Sequence, residues 1–549
     1  MLRTHFRSYQ HNGWVNSNMN GCAAHVRGHV YYEDRLYRDM DLCQLVSNMT
    51  SSEIEIEITK FNGFFSFVKV SDTEIILVVD HFRSMPLFYA LENGDVYVSD
   101  DAFWILKQLS AVTLDEDAAE EFLVTGHVAG NETLYRQIKQ VQAGEMVRIR
   151  TWVDKGGEIN AFRYFLYRRD EEKELNTDRE TLLTMLDNVL QKVFERAIKV
   201  LNGRTAVIPL SGGYDSRLVA MMLKRSGYEN VVCFSYGVPG NMDSEVSRII
   251  AESLGYKWFF VEYSEETWRK WYESDKMRKY EVFSSGLASL PHVQDWPAVM
   301  ELRNKSLIPP DSVFMPGHSA AFALYIPVKL AGEKNVLKAI LLRFYILNPY
   351  SSEQRNVFEE RIRSFLNVFG TSYDTFEKLA SFYQCWLWQE REAKFIGNSV
   401  RVYEFWGYDW LMPLWDLELT EFLSMLPLEH YFNRRLYKEY VRRLCTFLGV
   451  PLKTSEPPKS SLKTVLKTAE KFGNSFLPHF ALRWVWKLKC KTICKRRNEK
   501  SDLAFFGMVD EKYRKEYCFD INSFLSKRFI ERLKAGAYES VKLETAERV

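Results

Sequence analysis

The chain has 549 residues, with 73 Lys and Arg against 72 Asp and Glu, a net charge of +1, 46% hydrophobic and 26% charged residues. That length requires two or more folded units and excludes a lone small binding module, while the ordinary apolar content excludes global disorder. Near-neutrality excludes the broad positive field on which non-specific nucleic-acid binding relies, so no nucleic-acid partner is expected.

Up to about Arg150, short period-two runs broken by turns predict strands: Ile54–Ile58, Phe64–Val70, Ile75–Val79 and Val96–Val98. Lys155-Gly156-Gly157 interrupts this pattern, and the charged stretch Arg168–Glu174 reads as a solvated linker, which places a domain boundary there. Leu182, Leu183, Leu186, Val189, Leu190 and Val193 then fall at helical spacing. Next come a strand (Ala206–Leu210), a glycine turn, a helix (Arg217–Lys224), a strand (Val231–Phe234), a helix (Ser244–Ser253) and a strand (Trp258–Val261). Such alternation predicts a parallel sheet with helices on both faces. From about Lys334 to Leu448 the apolar spacing is mostly helical, and Arg483–Arg497 mixes aromatic and basic residues as a snorkelling surface helix would.

The eight cysteines are Cys22, Cys43, Cys233, Cys385, Cys445, Cys490, Cys494 and Cys518. They lack the dense spacing of a secreted disulfide scaffold, and no second Cys/His pair joins Cys490 and Cys494 to complete a zinc site. With no apolar leader at Met1–Phe6 and no apolar run of about 18 residues, the expectation is a cytoplasmic chain without a transmembrane segment.

Chemistry concentrates in Ser211-Gly212-Gly213-Tyr214-Asp215-Ser216, which leaves a predicted strand and opens a predicted helix. Glycines admit phosphate oxygens close to the backbone, unpaired helix-start amides point at the anion, and the hydroxyls add donors. Asp215 offers the hard oxygen that magnesium on a triphosphate takes. The spacing and lysine of a Walker A loop are absent.

This turn resembles that of the PP-loop ATP pyrophosphatases and, more narrowly, that of the asparagine synthetase family. Phe61–Phe67, Asp80–Tyr89 and Thr133-Leu134-Tyr135 match that family's glutaminase-like domain in order and spacing. Phe234-Ser235-Tyr236-Gly237, Glu404 and Pro413-Leu414-Trp415-Asp416 match its synthetase domain. The resemblance implies an α+β sandwich of the N-terminal-nucleophile amidohydrolase type over 1–165, inactive here, and an α/β PP-loop synthetase domain with a helical C-terminal part over 175–549. It further implies ATP and Mg2+ as cofactors. Ser211, Gly212, Gly213, Asp215, Ser216, Ser235 and Gly237 would hold ATP, with Asp215 as metal ligand. Lys459 would stabilise the transition state, and His318 with Glu404 would take the proton from the attacking nitrogen.

Departures from the family narrow the activity. Leu2 and Arg3 stand where relatives expose a nucleophilic cysteine, and Arg27-Gly28-His29 replaces the glutamine-holding Asn-Gly-Glu, so no glutamine hydrolysis is expected. Ala321 replaces the aspartate that supplies a second metal ligand, and His318 replaces a Glu or Tyr. The expected partners are a carboxylate substrate, as a small molecule (aspartate, a uronic acid), a glycan or a peptide side chain, and ammonia or an amine as donor. Leu290–Trp296 would border the acceptor pocket. The rival is an ATP-binding or assembly protein that has lost turnover, and a homodimer is left open.

Overall fold

The period-two runs become two sheets in the computed structural model, which describes residues 3–8, 13–19, 21–152, 156–169, 173–321, 333–369, 375–431, 434–452, 502–509, 513–514 and 521–541. The strands are β1 (Arg3–Arg7), β2 (Val15–Met19), β3 (Cys22–Tyr32), β4 (Arg35–Arg38), β5 (Asn62–Val70), β6 (Glu74–Val79), β7 (Phe88–Glu92), β8 (Asp95–Ser99), β9 (Lys139–Gln140), β10 (Glu145–Trp152) and β11 (Gly156–Arg163). One sheet has the order β11-β10-β6-β5-β3-β2, with β4 also on β3; the other runs β1-β8-β7-β9. Val68, Leu77, Val79, Leu87, Val96 and Val98 fill the layer between them. On the far side of the larger sheet, the helix Asp39–Asn48 lays Leu42, Cys43 and Val46 over Val26, Phe65 and Phe67.

Two expectations are corrected here. Ile54–Ile58 is not a strand: Ser51–Glu57 is helical and Ile58–Lys60 adds a turn of 3-10 helix. Thr50 and Glu53 form a reciprocal capping box, and Ile54 and Ile58, four apart, are both buried, whereas Ile56 is 64% exposed. Nor is all of Arg168–Glu174 solvated, although Arg168, Lys173 and Glu174 are exposed. Gly156 and Gly157 begin β11, in register with β10, and Arg169 is buried, donating from its backbone N–H to Ser381 Oγ at 3.0 Å and from its guanidinium to Glu174.

The helix Arg179–Leu201 buries the predicted stripe and is capped by Asp178, which accepts from the Glu180 and Thr181 amides. After it come β12 (Ala206–Pro209), β13 (Val231–Gly237), β14 (Lys257–Glu262), β15 (Val313–Phe314) and β16 (Asp409–Trp410). All pairs are parallel, in the order β14-β13-β12-β15-β16. The chain walks outward from β12 to β14 through the helices Tyr214–Arg225 and Met242–Leu254, then returns to β15 on the other side of β12. That reversal leaves a crevice beyond the carboxyl ends of β12 and β15.

Between residues 333 and 448 the described residues are largely helical, as their spacing predicts, and they pack on the first sandwich. Trp388 donates to the His81 carbonyl at 2.9 Å, Phe82 stacks on Trp415 at 3.7 Å, and Lys394 reaches the Val128 and Gly130 carbonyls. Among the described residues no helix is long and apolar enough to cross a membrane. Lys459, Arg483–Arg497, Cys490, Cys494 and Cys518 lie outside the described residues.

Candidate active site

Two loops meet in the crevice. The Leu210 amide still donates to the Phe234 carbonyl at 2.9 Å, so the chain stays beside β13 until it turns at Ser211. The Ser211 amide donates to Ser216 Oγ (3.0 Å), the two hydroxyl oxygens lie 2.9 Å apart, and the Gly213 and Gly212 amides donate to Ser211 Oγ (3.2 Å) and Asp243 Oδ1 (2.9 Å). Gly213 caps the helix Tyr214–Arg225 with no side-chain hydrogen bond to its first amides, which leaves the positive end of the helix for an anion. Beneath, the buried Arg217 donates to the Gly212 carbonyl at 3.2 Å and the Pro451 carbonyl at 3.0 Å. Ser235 lies on β13 next to the turn, buried in the sheet.

The second loop follows β15. The Met315 amide donates to the Val207 carbonyl at 2.8 Å, and Gly317 then lies so close to the turn that a Cβ there would stand 2.3 Å from the Ser216 nitrogen. Only glycine fits. This contact brings His318 beside the turn, where its Nε2 pairs with Ser399 Oγ at 2.7 Å. Burial and the neighbouring His292 push His318 down to about 4, against the opposing pull of Asp295 and Asp215, so its imidazole is neutral near pH 7.

Asp215 faces a partner that sequence reading did not anticipate. Its Oδ1 accepts from the Arg434 guanidinium and from the Tyr437 hydroxyl, the latter at 2.6 Å. Burial works against the Arg434 charge, but Asp215 outweighs it and the guanidinium is held more firmly protonated than usual. Magnesium requires several oxygen ligands in octahedral array. Here one Asp215 oxygen is bound to a cation, and residue 321 is a buried alanine with no side-chain oxygen to add. This donor set does not fit magnesium, which corrects the expectation of Asp215 as its ligand.

The pairing of His318 with Glu404 is also corrected, because no hydrogen bond joins them among the described residues. Glu404 accepts from Arg27 (2.5 Å), Trp410 Nε1 (2.7 Å) and Arg401. Burial raises its pKa, but Arg27 and Arg401 prevail and it stays ionised. The acid in the surroundings of His318 is instead Asp295, fully enclosed, accepting from the Tyr236 hydroxyl at 2.5 Å and the Tyr403 hydroxyl at 2.8 Å, with His292 Nε2 at 3.6 Å. Burial opposes its charge, but these donors hold its pKa below the usual carboxylate range. Asp295 and His292 sit in the stretch read as an acceptor border; the His-x-x-Asp spacing was the available signal.

Gly237 ends β13 at φ +129, where a Cβ would lie 2.3 Å from the Asp502 carbonyl oxygen. That carbonyl accepts from the Val238 amide at 2.7 Å, and the Leu503 carbonyl accepts from Trp268 Nε1 at 2.7 Å. Residues 502–509 thus cap the end of β13. Further off, Arg27 reaches out of β3 to Glu404, and His29 beside it, pushed down to about 4 mainly by burial, lines a small open cleft with Asn62, His81, Arg196 and Asp416.

Comparison with known proteins finds one family match in each half of the chain. Residues 45–164 match the glutamine amidotransferase domain family and residues 189–271 the asparagine synthase family. No curated protein sequence matches. Among solved structures, a glutamine phosphoribosylpyrophosphate amidotransferase from B. subtilis complexed with ADP and GMP is 13% identical, covering 67% of this chain and 78% of its own, with a TM-score of 0.19. A structure described as the allosteric regulatory enzyme of purine biosynthesis is 12% identical, covering 69% and 77%, also at 0.19. Scores that low carry no weight for the fold. The two domain matches, in this order along one chain, are consistent with the architecture of the asparagine synthetase family, a family of amide-forming ligases.

Proposed function

We propose that the chain is an ATP-dependent amide-forming ligase with a PP-loop synthetase domain. A substrate carboxylate oxygen bonds to the α-phosphorus of ATP, the bond to the bridging oxygen breaks, and pyrophosphate leaves. Ammonia or an amine then attacks the acyl carbon, AMP departs with the shared oxygen, and the nitrogen gives up a proton. The observation that carries this reading is the Ser211–Ser216 turn opening a helix at the switch point of a parallel sheet. Ser211, Gly212, Gly213 and Ser216 hold the departing pyrophosphate, Ser235 and Gly237 keep the nucleoside-bordering role implied by resemblance, and neutral His318, beside the turn, accepts a hydrogen bond from the attacking nitrogen, whose proton passes on to water. Lys459 keeps the charge-stabilising role implied by resemblance. ATP alone is a substrate; no step is assigned to a metal.

Glutamine is not the nitrogen source in this reading, because Arg27 and His29 take the places of the amide and carboxylate that would hold it, and Arg27 is turned into an ion pair with Glu404. Incubating the full chain with ATP, ammonia and a panel of carboxylates, including aspartate, uronic acids and acidic peptides, will release AMP and pyrophosphate in equal amounts. ADP and phosphate, or no turnover across the panel, contradicts the ligase.

A second reading, an ATP-binding assembly protein without turnover, is favoured by Ala321 and by the Arg434 bound to Asp215. It predicts saturable ATP binding with no AMP from any acceptor.

A further inference from the structure

The misfit with magnesium at Asp215 has a chemical counterpart. A pair of carboxylates plus one divalent cation carries no net charge. In this chain one carboxylate has become Ala321, and the other is paired with a guanidinium. A fixed positive charge thus stands against Asp215 where a divalent cation would, while Asp243 is held by the Gly212 amide.

Arg434 is placed for more than neutralising Asp215. It lies 219 residues away in sequence yet points at the turn, with its guanidinium 4.6 Å over the Tyr437 ring and its buried Nε without a hydrogen-bond partner. A buried guanidinium with an unused donor, beside helix-start amides that have no side-chain cap, lacks an acceptor. Arginine is the side chain whose planar donors match phosphate oxygens, and it keeps its charge at any physiological pH. The residue also sits at φ +58, a left-handed backbone rare outside glycine, directly before the helix Arg435–Leu448.

We infer that Arg434 replaces the divalent cation at this turn: anchored by Asp215 and Tyr437, its guanidinium binds the phosphates of the nucleotide directly, so the chain takes up ATP and pyrophosphate without a metal. The inference rests on the nucleotide reading of the turn and assigns that site its counter-charge.

Calorimetric titration of the full chain with ATP, and with inorganic pyrophosphate, in excess EDTA and in excess magnesium tests it. Dissociation constants in the two buffers will agree within about threefold, because the positive charge is built in. Arg434→Met will weaken binding in EDTA by about tenfold or more, the scale of a lost charge-assisted contact, and magnesium will restore part of it through the freed Asp215. Arg434→Lys, which keeps a point charge without the planar donors, will fall between the two. Wild-type binding that needs magnesium, or an Arg434→Met protein that binds as well in EDTA as wild type, overturns the inference and leaves the nucleotide site standing. Absence of ATP binding in both buffers overturns both. Should Arg434→Met fail to fold, the wild-type comparison alone decides.

Discussion

Single side chains set the charge state of the crevice. His318 titrates near 4 in the folded chain against 6.5 when unfolded, with burial as the chief cause. The unfolded chain therefore binds a proton below about pH 6.5 that the folded chain refuses until about pH 4, and stability falls as pH drops through that window. By linkage the loss from this one group approaches about 3 kcal/mol at pH 4, so His318→Gln will flatten the urea-unfolding free energy between pH 6.5 and 4 relative to wild type. An unchanged slope contradicts the neutral, enclosed imidazole. The Arg27–Glu404 pair is a second residue-scale device, with both side chains more than nine-tenths buried. Arg27→Ala will cost about 3 kcal/mol in chemical denaturation, at the low end for a broken buried pair because Arg401 and Trp410 still serve the carboxylate, and adding Glu404→Gln will recover part of it. The turn was legible at this scale because its residues are contiguous. Arg434 was not, since what matters about it is a partner brought close by the fold, and no local spacing announces an arginine 219 positions from its aspartate.

Among the elements, long runs with a clear period were read correctly and short ones followed their caps. The helix Arg179–Leu201 and the strands β12, β13 and β14 repeat the sequence pattern almost residue for residue. Ile54–Ile58 has strict alternation yet is helical, because its other residues are glutamates that tolerate a solvent face and Thr50 with Glu53 satisfies the helix start. Charge density misled in the same way at Arg168–Glu174, where Arg169 points inward to fixed acceptors. The cap over β13 depends on Gly237. Gly237→Ala places a methyl 2.3 Å from the Asp502 carbonyl oxygen at a φ that alanine avoids, so residues 502–509 must lift away. Limited proteolysis will then cut between Asp502 and Val509 several-fold faster than in wild type, with a stability loss of about 1–2 kcal/mol. Equal cleavage rates contradict the cap.

Across the whole molecule, the largest apolar cluster spans both domains, beside two smaller ones confined to the sandwich. Phe82 and Phe64 of the sandwich pack with Trp388, Trp410 and Trp415 of the second half, and Tyr345 and Arg361 reach Glu121. An interface this apolar favours one cooperative unit over two mobile domains. A fragment spanning 175–549 will therefore expose tryptophan-rich surface, bind a hydrophobic dye and aggregate, whereas the full chain will unfold in one transition; a stable, monomeric fragment contradicts this.

The central claim is that the Ser211–Ser216 turn, pressed by Gly317, grips the pyrophosphate part of ATP. Competition calorimetry tests it most directly, with the full chain titrated with ATP in the absence and presence of inorganic pyrophosphate, and again as Gly317→Ala, whose methyl would meet the Ser216 nitrogen at 2.3 Å. The account predicts one ATP per chain, displaced competitively by pyrophosphate, with affinity reduced by about tenfold or more in Gly317→Ala as the cradle amides are pushed out of line. ATP binding that pyrophosphate does not displace, or that Gly317→Ala leaves unchanged, contradicts it.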